Sequence, residues 1–354
     1  MKIAQVAPLF ESVPPILYGG TERVVSYLTE ELVAQGHEVS LFASGDSKTA
    51  ARLLSSCPHS LRLDEKCEDQ FAHHILMLEM LQQRIQEFDI VHYHTGYLHF
   101  PMARYNNRPN LTTFHGRLNT PDTQLLYREF RDLPVVSISQ HQRIPFPEAN
   151  WAGTVYHGLP VELLEFNPQA GNYLAFLGRI SPEKGLDKAI EIAIKCGIPL
   201  KIAAKVDKQD EIYFQQIIKP LLNNPLLDYI GEIDEREKSE FLGNALALLF
   251  PINWPEPFGL VVIEAMACGT PVVAFRMGSV PEVVEDGVTG FIVDTVEEAV
   301  QAVKEKINSL DRSLCRRVFE SRFSAERMAC DYLQVYQQEI DLKLNREFLL
   351  KKTI

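Results

Sequence analysis

The sequence predicts an α/β fold with two doubly wound parallel sheets. Three observations carry this. Short β-type runs alternate with helical patterns almost throughout the chain, which is the mark of βαβ units and parallel sheets. There are about twelve such runs, too many for one compact doubly wound sheet. The length, 354 residues, suits two domains better than one.

In the first half, "KIAQVA", "HEVSLFAS", "DIVHYH", "LTTFHG", "PVVSIS" and "TVYHG" read as strands. After the first of them, Val24, Val25, Leu28 and Leu32 recur at helical spacing, and Gly36 stops that helix. In the second half, "YLAFLGRI", "PLKIAAKV", "LDYIGEI", "ALLFPI", "PVVAF" and "GFIVD" read as strands. The stretch 159–172 has two prolines, Gly171 and no clear period. It marks a boundary, giving Rossmann-like domains over 1–165 and 166–323. The tail after Phe323, about 324–354, reads as one long helix with Met328, Tyr332, Leu333 and Tyr336 along a face.

Composition narrows the function. The net charge is −12, shared evenly at about −6 on each side of residue 165. Without a basic half, nucleic acid and anionic membranes are poor partners. An anionic ligand would need a few local cations and backbone N–H groups. The six cysteines form no C-x-x-C pair, which fits a reduced, cytoplasmic setting. The start lacks the apolar core of a signal peptide. No stretch reaches the roughly 18 apolar residues of a transmembrane helix. Peripheral membrane contact is open but not indicated.

Ligands of open α/β sheets bind outside the carboxyl ends of the strands, so the strand-to-helix turns matter most. In "APLFESVPPILYGGTERVV", Gly19 and Gly20 lead into a helix with Thr21 as expected N-cap. Such glycines either let the backbone approach an anion at the helix start or only shape a long loop. In "FLGRISPEKG", Arg179 ends a strand and Lys184 enters the next helix. Two cations across this turn can converge on a diphosphate, Arg as a planar fork and Lys as a point charge. The alternative is a pair of solvated charges near Glu183.

"WPEPFGLVVIEAMACGTPVVA" holds Glu256 and Glu264 with seven residues between them. Glu256 precedes a proline and is held extended. A helix then begins around Phe258 or Gly259 and runs to about Ala267, its first N–H groups unpaired. Glu264 lies among Leu260, Val261, Val262, Ile263, Ala265, Met266 and Ala267, an apolar setting that implies burial. A buried carboxylate needs partners, and carboxylates accept hydrogen bonds from polyol hydroxyls. A ligand contact therefore gains weight over a surface role.

Histidines form a second group. His92 and His94 share a strand face. Such a pair can bind a metal, but no third ligand accompanies it, and a cleft-lining or hydrogen-bonded core role is favoured. His115 ends another strand before Gly116. The chain has no D-x-D, P-loop, G-x-S-x-G or G-x-G-x-x-G motif.

Together "YGGTERVV", "TTFHG", "LGRISPEKG", "EPFGLVVIEAMACGTPVVA" and "GSVPEVVEDGVTGFIV" resemble the glycosyltransferases of family 4, across nearly the whole chain. The resemblance implies a GT-B fold, two Rossmann-like domains facing a cleft, with the tail helix packing back on the first. It implies a retaining, metal-independent transfer of a hexose-type sugar from a nucleotide diphosphate sugar, UDP-sugar favoured. That donor is a substrate, and no cofactor is expected. The donor would lie on the second domain and the acceptor largely on the first. Arg179 and Lys184 match the diphosphate pair. Glu256 matches the carboxylate on the transferred sugar, and Glu264 the one on the ribose. Phe258, Gly259 and Leu260 would offer backbone N–H groups. His115 matches a histidine facing the reacting sugar, and Gly19 and Gly20 a loop that approaches the diphosphate.

Two other readings share the fold: a nucleotide-sugar epimerase and a non-catalytic nucleotide-sugar-binding protein. The acceptor is a sugar, a lipid-linked molecule or a small metabolite. Its choice should lie in residues 9–18, 45–50, 95–106 and 116–124, where Pro14, Pro15, Tyr97, Phe100, Arg104 and Arg117 sit.

Overall fold

The computed structural model describes residues 1–17, 19–62 and 64–352, without the side chains of 346, 347 and 350–352. Tyr18 of the Tyr-Gly-Gly stretch and the last two residues of the tail lie outside the described residues. The chain divides into two compact units, Met1–Gly158 with Ala325–Ile354, and Leu159–Ser324. The change of unit falls at the near edge of the Pro-rich stretch, a few residues before position 165.

The first unit is built on seven strands: β1 (Lys2–Val6), β2 (Glu38–Phe42), β3 (Arg52–Leu54), β4 (Ile90–Tyr93), β5 (Asn110–Thr113), β6 (Pro134–Ser137) and β7 (Asn150–Thr154). They lie in the order β3-β2-β1-β4-β5-β6-β7, and all pairs are parallel. The central strands are buried almost throughout, as expected when helices cover both faces. Two details depart from the sequence reading. β3 is a three-residue edge strand, too short to leave a pattern. The last strand is Asn150–Thr154 and not 154–158: its register with β6 runs from Asn150 to Thr154 and closes with the Val155 N–H donating to the Ser137 carbonyl at 2.9 Å.

The second unit has six strands: β8 (Tyr173–Arg179), β9 (Leu200–Lys205), β10 (Leu227–Gly231), β11 (Ala245–Phe250), β12 (Val272–Phe275) and β13 (Gly290–Val293). Their order is β10-β9-β8-β11-β12-β13, again all parallel. Leu174, Ile202, Leu249 and Val273 join helix residues such as Ile190 and Ala193 in its core.

Both sheets therefore have a topological switch point, where the strand order reverses: β1/β4 in the first and β8/β11 in the second. Crevices outside the carboxyl ends of such strands are where open α/β sheets bind ligands. The tail is a continuous helix, Ala325–Lys352. Met328, Tyr332 and Tyr336 on it are completely buried, and Leu333 is half-buried.

Candidate active site

The switch point of the second unit gathers most of the sequence-picked residues. Arg179 is the last residue of β8, and β11 ends at Phe250, six residues before Glu256. Lys184 sits in the turn after β8, not in a helix. Gly185, at φ 69°, starts the Leu186–Cys196 helix in a left-handed conformation. A Cβ there would lie 2.2 Å from the Pro251 carbonyl oxygen, so only glycine lets the two turns come this close.

Lys184 Nζ donates to Glu256 Oε2. The same oxygen accepts from Trp254 Nε1 at 2.9 Å, and the ammonium lies 5.4 Å from the Trp254 ring centroid. Arg179 is held by three carboxylates, Glu183 at 3.4 Å, Asp207 at 3.6 Å and Asp210 at 3.7 Å. The Arg179 and Lys184 side chains are only 21% and 20% exposed, which excludes a pair of solvated surface charges. Each is a mostly desolvated cation with carboxylate partners, and an anion entering the site would compete for them.

The loop from Trp254 to Gly259 is fixed from outside. Ser279 Oγ donates to the Phe258 carbonyl at 2.8 Å, and the Ser279 N–H to the Glu256 carbonyl at 3.0 Å. Gly278, at φ 57°, lies so close that a Cβ on it would come within 2.4 Å of the Glu256 backbone. The helix that follows is Leu260–Ala267, with Gly259 at φ 85° before it and no side-chain cap. Its open N–H groups are left for a ligand or water.

Glu264 is buried in this helix, as its neighbours imply. Its partner, however, is a protein side chain: Lys238 Nζ donates to Glu264 Oε1 at 2.7 Å. Burial by itself therefore does not call for a ligand at Glu264, because Lys238 satisfies the charge. Lys238 lies on the Glu235–Gly243 helix, too far along the chain for spacing to reveal the pair.

In the first unit, Gly20 opens the Gly20–Ala34 helix and Gly19 precedes it without a side-chain cap. Thr21 is inside the first turn, so it is not the expected N-cap. A Cβ on Gly19 would meet Pro15 Cβ at 2.7 Å; this loop needs glycine for space. Glu22 in the first turn is buried, and that burial pushes its pKa up to about 7.

Four histidines meet near the carboxyl ends of β1, β4 and β5. His92 Nδ1 lies 2.7 Å from Tyr336 Oη and its Nε2 lies 2.7 Å from Thr113 Oγ1. His94 contacts Gln5 Oε1 through Nε2 at 2.8 Å and His115 Nε2 through Nδ1 at 2.8 Å. His115 stacks on His157 with ring centroids 5.3 Å apart. Burial holds His92, His94 and His157 well below the usual histidine range and takes His115 down to about 3. These rings are neutral hydrogen-bonding groups. Among the described residues, no three His, Cys, Asp or Glu side chains are grouped to hold a metal, and none of the helices is long and apolar enough to cross a membrane. The six cysteines are unpaired.

Sequence reasoning missed Trp254, Lys238, Gly278, Ser279, Gln5 and the role of Tyr336. Gly278 and Ser279 stood in a quoted motif without an assignment. Tyr336 showed only as part of an apolar helical stripe.

Two family models cover most of the chain. "Glycosyltransferase Family 4" matches residues 18–144 and "Glycosyl transferases group 1" matches 165–317. The chain belongs to the group 1/family 4 glycosyltransferases. A Klebsiella pneumoniae relative, an uncharacterized 41.2 kDa protein in the cps region, is 30% identical over 46% of this chain and 46% of its own length. The chain thus spans about half of that relative. Glycogen synthase of Mycobacterium tuberculosis is 26% identical over 78% of this chain and 79% of its own. An Anabaena protein solved with UDP and glucose superposes with a TM-score of 0.73 at 18% identity, over 96% of this chain and 100% of its own. The last of these supports the fold, and the chain has the two parallel-sheet domains of the GT-B type.

Proposed function

We propose that this glycosyltransferase moves a hexose-type sugar from a nucleotide diphosphate sugar, UDP-sugar favoured, to an acceptor hydroxyl, with retention of configuration and without a metal. The observation that carries the proposal is the cation–carboxylate–indole group of Lys184, Glu256 and Trp254 beside the open end of the Leu260–Ala267 helix. An incoming diphosphate takes over Lys184 and Arg179, and this frees Glu256 to accept hydrogen bonds from sugar hydroxyls. The UDP and glucose bound to the Anabaena protein favour a uridine donor.

Breaking the sugar–phosphate bond leaves negative charge on the diphosphate. Two positioned cations and the N–H groups of Phe258, Gly259 and Leu260 stabilise that charge as it grows. Losing one such group typically costs on the order of 10²–10³ in rate. In our reading, Glu264 serves the ribose while staying paired to Lys238. His115 serves the reacting sugar, and Gly19 and Gly20 the diphosphate. The second unit binds the donor and the first recognises the acceptor. A double displacement needs a carboxylate nucleophile under the anomeric carbon. In our reading Glu256, once freed from Lys184, is engaged by the sugar hydroxyls, so we favour front-side transfer in which the leaving diphosphate takes the acceptor's proton. Trapping a glycosyl group on a carboxylate would overturn that mechanism.

Thermal-shift screening with UDP-, GDP- and ADP-sugars tests the donor, because a ligand at about 100 times its Kd stabilises by roughly 2.7 kcal/mol. Lys184→Ala should remove most of the shift. An unchanged shift would take Lys184 out of the diphosphate role. Donor turnover with and without acceptors, and in a chelator, then separates transfer from epimerisation and from binding alone.

A further inference from the structure

Three histidines of the first unit, His92, His94 and His115, share one hydrogen-bond network with Gln5 and Tyr336. The Gln5 amide nitrogen donates to Tyr336 Oη at 2.9 Å. An amide oxygen can only accept. The 2.8 Å contact of Gln5 Oε1 with His94 Nε2 therefore puts a hydrogen on His94 Nε2. His94 is neutral, so its Nδ1 is bare. The 2.8 Å contact of that Nδ1 with His115 Nε2 in turn puts the hydrogen of His115 on Nε2. What remains is His115 Nδ1, a lone pair shielded from solvent and without a hydrogen-bond partner among the described residues.

The other branch agrees. Tyr336 accepts from Gln5, so its own hydrogen goes to His92 Nδ1 at 2.7 Å. His92 Nε2 then donates to Thr113 Oγ1 at 2.7 Å, which lies 2.9 Å from Tyr332 Oη. The backbone sets this up: Gln5 and His92 are register partners on β1 and β4, and Tyr332 and Tyr336 are one turn apart on the tail helix. A buried acceptor left unpaired is expensive, and a hydroxyl donor is the group it lacks.

We propose that Tyr336, Gln5 and His94 are positioning residues that fix His115 in its Nε2–H form, so that Nδ1 accepts a hydrogen bond from a hydroxyl of a sugar substrate. The identity of that hydroxyl rests on the transferase reading above; the wiring does not. No residue of the relay other than His115 touches substrate.

The test is side-chain ¹⁵N–¹H correlation of the full-length chain labelled in histidine, beside steady-state transfer. The wild type should show hydrogens on Nε2 of both His94 and His115. Tyr336→Phe removes the acceptor that holds the Gln5 amide, which can then turn over and present its NH₂ to His94 Nε2. His115 should gain the Nδ1–H form, and kcat should fall about tenfold, the effect of one lost hydrogen bond. The donor-induced melting shift should shrink by no more than that one hydrogen bond, since the diphosphate contacts remain. A hydrogen on His115 Nδ1 in the wild type overturns the proposal, and this spectrum decides it even where Tyr336→Phe does not fold. An unchanged tautomer in folded Tyr336→Phe also overturns it, as does a changed tautomer with unchanged kcat. The expected spectra in a chain that transfers no sugar would refute the transferase reading and leave the relay standing.

Discussion

Two glutamates show how environment decides what a carboxylate does. Glu264 is 5% exposed and its partner Lys238 is 11% exposed, so the pair counts as buried. Removing one partner of a buried ion pair leaves an uncompensated charge and costs about 3–5 kcal/mol. Lys238→Met should lower the urea midpoint by a matching amount, and an unchanged midpoint would mean that Glu264 does not depend on it. Glu22 is the opposite case. Arg62 acts on it only through a lesser Coulomb attraction, and burial dominates, raising its pKa from 4.5 to about 7. The folded state then holds the proton more tightly than the unfolded chain. The burial penalty is absent below about pH 4.5, grows through the interval, and is complete above about pH 7. It amounts to roughly 3 kcal/mol. Glu22→Gln should therefore unfold at a higher urea concentration than wild type at pH 8 and at the same one near pH 4.5. A difference that does not change with pH would show that Glu22 is not protonated by burial.

The Leu260–Ala267 helix and its leading loop form one rigid piece. Arg316 Nη1 donates to the Ala267 carbonyl at 2.8 Å, so a cation sits at the helix C-terminus, where the dipole favours it. Gly278 and Ser279 clamp the other end. Gly278→Ala would force a Cβ into the Glu256 backbone and a side chain into a left-handed conformation, a strain of about 1–3 kcal/mol. We expect Tm to drop by a few degrees and the donor-induced shift to fall well beyond what that loss explains, since the loop carries Glu256 and the helix start. Wild-type donor binding in this variant would show that the loop geometry is not what binds the donor. This piece also shows what was legible in advance. The strand ends, the helix from about Gly259 to Ala267 and the burial of Glu264 followed from apolar periodicity, proline and glycine placement. The Lys238 and Gly278 contacts did not, because they join elements 26 and about 22 positions away and spacing holds no record of such pairs. For the same reason the His92–His94 face was visible from alternation, whereas its link to Tyr336, 244 positions on, was not.

The whole chain has an interrupted first unit. Its sheet ends at β7, and the chain completes the second unit before the Ala325–Lys352 helix returns. That helix brings Tyr332, Tyr336 and Met328, all completely buried. Arg327 donates to the carbonyls of Tyr156 and His157 at 2.8 and 2.9 Å. Truncating a buried aromatic side chain costs about 3–5 kcal/mol, and a domain has only about 5–15 kcal/mol in reserve. Ending the chain at Ser324 should therefore unfold the first unit, while the second keeps its own core. The two tryptophans report this separately. Trp151 lies in the first unit, with Nε1 donating to the Phe146 carbonyl at 3.0 Å, and Trp254 lies in the second beside Glu256. In the truncated chain carrying Trp254→Phe, the emission of Trp151 should move to the red as it becomes hydrated. In the truncated chain carrying Trp151→Phe, the emission of Trp254 should stay as in the full chain and should still respond to the donor. Trp151 emission unchanged by truncation would mean that the first unit folds without its returning helix, and that its two buried tyrosines contribute far less than their burial implies.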